Sequence, residues 1–183
     1  MQPHLHTTRF DLRPLQESDF RLFADLAQNP VVMRYIRPAE TSDAESRRYF
    51  DISLAMPNTP GHGMWVVSER STQLDLGWVF LKPDLEGLPC HEIGYRYAQE
   101  AWGKGVASEV AIALAEHARQ TLGVAYLVGL THLENEASKR VLAKAGLQQA
   151  SGTYALFDTE VHVHTWGELP DKLASFFSAQ RRP

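Results

Sequence analysis

The sequence predicts a single α+β domain with a mixed sheet, spanning residues 1–183. Strand-like and helix-like hydrophobic patterns alternate along the chain, without internal repeats or low-complexity segments. A strand-like run, Ile93–Tyr97, leads into a turn with two glycines, residues 102–107, and a helical pattern follows that turn. The length of 183 residues is most simply one domain with a sizeable core.

Composition and charge are those of an ordinary globular protein. Apolar residues make up 44% of the chain and charged residues 22%, and no stretch approaches eighteen consecutive apolar residues. The N-terminus lacks the features of a secretory signal, and a net charge of −4 gives no basic surface for nucleic acid. The single cysteine, Cys90, excludes an intrachain disulfide. We therefore expect a cytoplasmic protein, monomeric or dimeric, without membrane or nucleic-acid partners.

The N-terminal half alternates strands and helices. Phe10–Leu15 has the pattern of an edge strand stopped by proline, and Ser18–Gln28 that of a helix. Ser42–Glu45 is a capping box that opens a second helix towards Leu54. Composition predicts loops at Pro57–Gly63 and Pro83–Pro89, on either side of two predicted strands, Met64–Ser68 and Leu76–Leu81.

The turn Trp102-Gly103-Lys104-Gly105-Val106-Ala107, called the glycine turn below, is the clearest candidate binding site. One face of the following helix is apolar, with Ala107, Val110, Ala111, Leu114, Ala115 and Ala118 at helical spacing. Glycine permits positive φ and close approach of a ligand, and the first helical N–H groups have no acceptor within the helix. The spacing therefore predicts a phosphate or pyrophosphate site, although a tight connection that binds nothing has the same pattern.

The C-terminal half continues the alternation. Ala125–Leu130 is an apolar strand, and Asn135 is placed to cap a helix that Gly146 ends. Gln148–Tyr154 and Thr159–Trp166 are predicted as a final pair of strands. The last helix is expected at Asp171–Gln180.

Four segments resemble the GNAT superfamily of N-acetyltransferases, over a core from about residue 8 to residue 167. His91–Tyr95 resembles the family's fourth strand, and Trp102–Glu109 its acyl-CoA pyrophosphate loop and helix. Asn135–Leu147 resembles its second CoA-contacting helix, and this match is the most specific of the four. Thr8–Leu15 resembles the opening of the subgroup that acetylates ribosomal-protein N-termini, and Trp102, where the general pattern has Gln or Arg, is familiar in that subgroup.

The resemblance implies a central, mostly antiparallel sheet of about seven strands flanked by about four helices. It also implies acetyl-CoA as co-substrate and a primary amine as acceptor, with no metal. Backbone N–H groups from Gly103 to Ala107 would hold the pyrophosphate, and Lys104 either adds charge or lies in solvent. The residues implied to contact acetyl-CoA are Tyr97, Trp102, Gly103, Lys104, Gly105, Val106, Ala107, Asn135 and Ser138.

In this family the strands corresponding to Ile93–Tyr97 and Ala125–Leu130 splay apart, and pantetheine pairs with the former. The amine then attacks the thioester directly through a tetrahedral oxyanion, which backbone N–H groups near Tyr97 would stabilise. Glu92 resembles the general-base position, where burial would raise its pKa, or it is a half-exposed strand carboxylate. Ser138 would hydrogen-bond the departing thiol, or it is an ordinary residue in the first turn of a helix.

Other reactive side chains have weaker roles. His162 and His164 lie on one face of the last predicted strand and are candidates to bind a metal or the substrate. The sequence has no matching cluster of further metal ligands, which disfavours the metal. His132 and Tyr154 are candidates for contact with the acceptor. Cys90 is interpreted as an ordinary thiol, because direct attack needs no covalent enzyme intermediate.

Several functions stay open. A protein or peptide α-amino group is the favoured acceptor, and a small-molecule amine such as an amino acid, a polyamine or an aminoglycoside is the alternative. A non-catalytic CoA-binding module would keep the same fold and glycine turn. A Rossmann site is excluded because its third glycine is Ser108 here, and a P-loop because its Gly-Lys-Ser/Thr ending is absent.

Overall fold

The computed structural model describes residues 2–56, 59–85, 88–156 and 159–182. The chain forms two compact units, Met1–Phe80 with Tyr95–Val110 and Leu81–Gly94 with Ala111–Pro183. The described strands are β1 (Leu5–His6), β2 (Phe10–Pro14), β3 (Gly63–Glu69), β4 (Asp75–Leu85), β5 (Leu88–Tyr97), β6 (Leu127–His132), β7 (Gln148–Gln149), β8 (Thr153–Leu156), β9 (Thr159–Trp166) and β10 (Arg181–Arg182). The described α-helices are α1 (Phe20–Gln28), α2 (Pro30–Met33), α3 (Asp43–Leu54), α4 (Val106–Glu116), α5 (Glu136–Lys144) and α6 (Asp171–Gln180).

The first unit begins with an antiparallel ladder. β2 pairs with β3 from Phe10, opposite Glu69, to Pro14, opposite Trp65. The strand predicted at Phe10–Leu15 is confirmed as β2, but its position at the edge of the sheet was wrong, because β1 pairs on the other side of β2. The two-residue strand β1 is too short to leave a periodic signal in the sequence. The capped helix at Ser42 is confirmed, since the Ser42 hydroxyl accepts from the Glu45 N–H at 3.3 Å.

Aromatic rings fill the core of the first unit. Phe23 of α1 packs edge-to-face on Phe50 of α3 at 5.4 Å and stacks on Trp78 of β4 at 5.9 Å. Leu26, Ala27 and Met64 are buried around them. Because α1 and α3 place these apolar residues on the same side of the strands, this unit buries one face of its sheet under helices.

The second unit is also largely antiparallel. β6 pairs along its length with β9, from Leu127 opposite Trp166 to His132 opposite Val161. β9 also pairs with β7 and β8, and β8 with β10. The β5–β6 bridge, Glu92 with Val128, is parallel. Leu173 and Phe177 of α6 join the buried cluster of this unit, which also contains Val128, Tyr154, Val161 and Val163.

The mixed α/β class with a mostly antiparallel sheet is confirmed, and the number of strands is roughly as predicted. The described residues form ten strands, of which β1, β7 and β10 have only two residues, and six α-helices instead of about four. The predicted loop at Pro83–Pro89 was wrong at both ends, because β4 continues to Leu85 and β5 begins at Leu88. Proline lacks only its own N–H donor, so it removes one ladder bond without ending the strand. Pro57 and Asn58 of the other predicted loop lie outside the described residues.

One predicted strand is divided. Gln148–Tyr154 forms β7 and β8, separated by a bend in which Gly152 has φ +88°. The helices expected after Asn135 and at Asp171–Gln180 are confirmed, with Gly146 at φ +89° just beyond the end of α5. Among the described residues, no helix has the length and apolar character needed to cross a bilayer.

Candidate active site

The glycine turn joins β5 to α4 within the first unit, through residues 102–105. Gly103 and Gly105 have φ values of +73° and +79°, a region that disfavours side chains, so both positions depend on glycine. The Glu109 N–H donates to the Gly105 carbonyl at 3.0 Å, which makes this the first hydrogen bond of α4. The N–H groups of residues 106–108 therefore lie at the start of the helix, without acceptors inside it.

The space around the turn suits an anion. A Cβ on Gly103 would meet nothing within 4 Å among the described residues. A Cβ on Gly105 would lie 3.2 Å from the Arg9 guanidinium, so a side chain there would crowd the turn. Residues 102–105 are exposed, whereas the Val106 side chain is buried and anchors the start of α4. The turn thus combines an open backbone with the positive end of a helix, the arrangement that a diphosphate needs.

Trp102 fixes the turn to the end of β5. Its indole N–H donates to the Tyr97 carbonyl at 2.9 Å, while 49% of the residue remains exposed. The Tyr97 ring is buried and stacks on Tyr95 at 6.0 Å. Burial, and secondarily the neighbouring Tyr95, raises the pKa of Tyr97 well above its usual value, so the phenol stays protonated at neutral pH.

A brace from the N-terminus holds the turn, and no local sequence pattern indicates it. The Arg9 guanidinium donates to Glu109 Oε2 at 2.7 Å and to the Lys104 carbonyl at 3.0 Å. Glu109 Oε1 also accepts from the Thr7 hydroxyl and from the Arg9 backbone N–H. Although burial opposes its ionisation, these hydrogen bonds lower the pKa of Glu109. The brace therefore keeps a charged carboxylate between the N-terminal segment and α4.

Replacing Glu109 with glutamine is expected to loosen this brace. The variant loses charge-assisted hydrogen bonds at a partly exposed site, so the free energy of unfolding should fall by about 1–2 kcal/mol at pH 7. Since the folded state lowers the pKa of Glu109, wild type holds this advantage above pH ~4.5 and loses it as the pH falls through the lowered pKa. Urea unfolding at several pH values measures the difference. Glu116→Gln, on the exposed face of α4, is the matched control, and an equal loss in both variants would contradict the brace.

In the second unit, Glu92 lies at the bridge between β5 and β6. It pairs with Val128, and this is the one bridge between these strands in the part of the chain that the structure describes. A parallel ladder of a single bridge agrees with the expectation that these two strands splay apart. The residue is half-buried, with a buried neighbour at Ile93.

Asn135 and Ser138 come together at the start of α5. The Asn135 side-chain oxygen accepts from the Ser138 N–H at 3.1 Å, which confirms the predicted cap. Ser138 is half-buried. Lys139 in the same turn donates to the Leu133 carbonyl and to Glu136, both at 2.6 Å, and so ties the preceding loop to the helix.

Two histidines of β9 lie opposite β6 in the second unit. His162 is opposite Thr131, and the buried His164 ring is 3.0 Å from the Thr131 hydroxyl. Burial, then the positive charges of His162 and Lys139, lowers the pKa of His164 to about 4, so it is neutral at physiological pH. In the described residues no group of three or more His, Cys, Asp or Glu side chains is placed to hold a metal.

The remaining candidates make contacts within the second unit. Tyr154 is buried in the second core and its hydroxyl donates to the Ser151 carbonyl at 3.2 Å. His132, on β6, is half-buried, and its ring accepts from the Glu134 N–H at 3.2 Å. Cys90 is buried in the same core, and burial, then Glu92 and Asp84, raises the pKa of its thiol to about 12. A thiol with that pKa is not a nucleophile at neutral pH.

The structure thus groups the predicted site residues into two sets. Tyr97, Trp102 and the rest of the glycine turn form one set in the first unit, together with the unforeseen Arg9 and Glu109. Glu92, Asn135 and Ser138 belong to the second unit. Only the segment Thr8–Leu15 hinted at Arg9, through its family resemblance, because a contact across 100 positions leaves no local pattern.

Comparison with known proteins identifies the class. The model of the Acetyltransferase (GNAT) domain family matches residues 9–148, and the chain belongs to this family. It is therefore an acetyl-CoA-dependent N-acetyltransferase. The FsC-acetyl coenzyme A-N(2)-transacetylase of Aspergillus fumigatus is 30% identical over 172 residues, which are 86% of this chain and 70% of that protein.

Solved structures confirm the fold. An acetyltransferase from Agrobacterium tumefaciens superposes with a TM-score of 0.79 at 24% identity, over 92% of this chain and 96% of its own. The ribosomal α-N-protein acetyltransferase RimL, solved in complex with coenzyme A, superposes with a TM-score of 0.74 at 17% identity, over 90% of this chain and 97% of its own. The family match and the name of the Aspergillus fumigatus relative support an enzyme over the non-catalytic CoA-binding module.

Proposed function

We propose that this enzyme transfers the acetyl group of acetyl-CoA to the α-amino group of a peptide or protein. The proposal depends mainly on the braced glycine turn. Arg9 holds this turn through Glu109 and Lys104. Arg9 also belongs to the segment Thr8–Leu15, whose sequence resembles the N-terminal acetyltransferase subgroup. Bound at the turn, acetyl-CoA supplies an activated acyl group as a thioester. The fold shared with RimL is consistent with this acceptor.

The chain's own residues have distinct roles in the proposal. Backbone N–H groups of Gly103, Gly105, Val106 and Ala107 bind the diphosphate, with the exposed Lys104 adding positive charge. Trp102 and Tyr97 fix the turn to β5, where backbone N–H groups near Tyr97 stabilise the oxyanion.

The proposed catalytic residues lie in the second unit. Glu92 removes the proton that the attacking amine must lose, acting directly or through water. Asn135 contacts the pantetheine arm, and the Ser138 hydroxyl hydrogen-bonds the departing sulfur. Cys90 takes no part, because its thiol is buried with a pKa of about 12. This agrees with direct transfer and no covalent enzyme intermediate.

Ser138→Ala tests the leaving-group role. A hydrogen bond to a charged group is worth about 1.5–3 kcal/mol, so kcat should fall roughly 10- to 100-fold. The affinity for acetyl-CoA should change little, because the proposed diphosphate contacts come from the backbone of the glycine turn. The Asn135 cap is retained in this variant, because it bonds the Ser138 backbone N–H.

Asn135→Ala is the companion variant for the Ser138 test. It removes the cap while leaving the hydroxyl, so it should lower the unfolding free energy by about 1 kcal/mol. Steady-state kinetics and urea unfolding separate the two effects. If Ser138→Ala kept the full kcat of the wild type, a group other than Ser138 would have to stabilise the departing sulfur.

The α-amino group suits this chemistry. Its pKa is about 7.8 against about 10.4 for a lysine side chain, so far more of it is already nucleophilic at neutral pH. A carboxylate such as Glu92 is a mild base and matches an acceptor that needs little deprotonation.

A small-molecule amine is the second candidate. It is favoured by the relative from Aspergillus fumigatus, because the name FsC-acetyl coenzyme A-N(2)-transacetylase mentions FsC and a nitrogen N(2) but no protein N-terminus. In that case the acetyl-CoA site would be used unchanged, and only the acceptor would differ.

An amine panel separates these candidates. Turnover of acetyl-CoA is measured with short peptides that have a free α-amino group, the same peptides with a blocked N-terminus and a lysine side chain, polyamines, and aminoglycosides. We expect the free α-amino peptides to have the highest kcat/KM. Turnover restricted to polyamines or aminoglycosides would overturn the α-amine assignment while leaving the family assignment in place.

A further inference from the structure

A buried arginine of β5 has unsatisfied hydrogen-bond donors. Arg96, which precedes Tyr97, is only 7% exposed, and its Nε and Nη1 atoms have no hydrogen-bond partner among the described residues. Its guanidinium lies over the Trp78 ring, 4.7 Å from the centroid. All three residues belong to the first unit. Buried guanidinium groups are normally paired, so this arrangement requires an explanation.

The charged neighbours of Arg96 do not neutralise it. Glu40 is 4% exposed and accepts a hydrogen bond from the Arg37 guanidinium, while its second oxygen has no partner among the described residues. Arg37 and Glu40 both act electrostatically on Arg96, and two positive charges against one negative charge leave one positive charge in excess. Burial lowers the pKa of Arg96 to about 10, with a smaller contribution from the positive charge of Arg37, while Glu40 acts in the opposite direction. The guanidinium is therefore still charged at neutral pH.

A donor beside Arg96 is also unsatisfied. The Trp78 indole N–H is buried without a hydrogen-bond partner in the described part of the chain. A planar carboxylate matches the fork of a guanidinium, and it carries the single negative charge that the cluster lacks. A phosphate at neutral pH would bring nearly two charges, one more than the excess. The Arg37 side chain is one-third exposed, so the cluster reaches solvent at that residue.

We propose that Arg96 binds a carboxylate of the acceptor, so that the substrate is an amine that also carries a carboxylate. The inference rests on the proposed function, which places the acetyl group near Tyr97, the residue next to Arg96 on β5. Tyr95 and Tyr97 stack on one face of the strand, and Arg96, at the alternate position, faces Trp78. The carboxylate would thus be held close to the transfer centre but away from the tyrosine face.

Matched acceptors test this assignment and identify the source of the carboxylate. One arm compares L-amino acids with their carboxamides. The other compares short peptides with a free α-amino group whose first or second residue is aspartate or glutamate with the asparagine or glutamine peptides. We expect the wild-type enzyme to prefer the carboxylate member by at least about 30-fold in kcat/KM in one of these arms, since losing one partner of a buried charge pair has an effect of this size.

Variants at Arg96 separate a binding role from a structural one. Arg96→Met should abolish the preference for the carboxylate, so that carboxylate and amide acceptors have equal kcat/KM in this variant, and Arg96→Lys should keep part of the preference. Because two of its donors are unpartnered among the described residues, Arg96→Met should also leave the melting temperature unchanged or raise it. Arg34→Met, an exposed arginine in the same segment as Arg37, is the control and should change nothing. Equal turnover of carboxylate and amide acceptors by the wild type would overturn the inference.

A binding measurement distinguishes failure of this inference from failure of the proposed function. A carboxylate on Arg96 would change the fluorescence of Trp78, and the same titration of an acidic amino acid into Trp78→Phe corrects for the other tryptophans. A signal in wild type that is absent in Arg96→Met supports the carboxylate site even if no α-amine is acetylated, in which case the proposed acceptor group is wrong. Acetylation of α-amines with no carboxylate preference and no fluorescence change overturns the site and keeps the proposed function.

Discussion

Gly105→Val is expected to weaken acetyl-CoA binding by at least about 100-fold. Gly105 has φ +79°, and a side chain there would approach the Arg9 guanidinium at 3.2 Å. A β-branched residue would shift the turn and misplace the N–H groups at the start of α4. Losing about 3 kcal/mol, the worth of one or two hydrogen bonds to a charged diphosphate, corresponds to roughly that factor. Isothermal titration calorimetry with acetyl-CoA measures it directly.

The control for Gly105→Val is Gly123→Val. Gly123 also has positive φ, +64°, and a Cβ there would meet nothing within 4 Å among the described residues. Both variants therefore carry the strain of a left-handed valine, about 1–2 kcal/mol of stability, but only one changes the glycine turn. We expect Gly123→Val to bind acetyl-CoA like wild type. Equal affinity in Gly105→Val would mean that the turn does not hold the diphosphate.

Glu92→Gln is expected to lower kcat by about 10²–10⁴-fold, the usual contribution of a general base. The change preserves size and hydrogen-bonding capacity but removes the proton acceptor. The affinity for acetyl-CoA should be nearly unchanged, because the proposed diphosphate contacts come from the backbone of the glycine turn. Steady-state kinetics with a saturating acceptor measure kcat, and calorimetry measures binding.

The pH dependence adds a second readout for Glu92. In wild type the rate falls at low pH as the base becomes protonated, and this acidic limb should be altered or lost in Glu92→Gln. Glu160→Gln, at an exposed carboxylate of β9, is the matched strand control and should behave like wild type. A Glu92→Gln enzyme that keeps most of its kcat at neutral pH would show that the amine arrives neutral or loses its proton to another group.

Local chemistry explains which parts of the site the sequence revealed. The glycine turn was predictable because two glycines between a strand-like run and a helical pattern allow few conformations, and both have positive φ. The Asn135 cap was predictable because capping depends on residues within one turn of each other. The brace from Arg9 to Glu109 and the position of Arg96 beside Trp78 and Glu40 depend on tertiary contacts, which periodicity does not encode.

The fold shows the same division. Helices with a cap or a long apolar period, such as α3 and α5, were placed to within one or two residues. The errors in strand boundaries came at proline and glycine, which occur both in loops and inside or between strands. Pro83 has the character of a strand breaker but lies inside β4, and Gly152 introduces a bend in a stretch whose pattern is that of one strand.

Internal competition within one acceptor molecule tests the proposed reaction most directly. A peptide with a free α-amino group, a lysine side chain and an acidic residue near its N-terminus is incubated with acetyl-CoA and enzyme, and tandem mass spectrometry locates the acetyl group. We predict acetylation at the α-amino group, strongly reduced in Gly105→Val at an acetyl-CoA concentration that just saturates the wild type. Acetylation of the lysine side chain, or of the α-amino group at an equal rate in Gly105→Val, would contradict it.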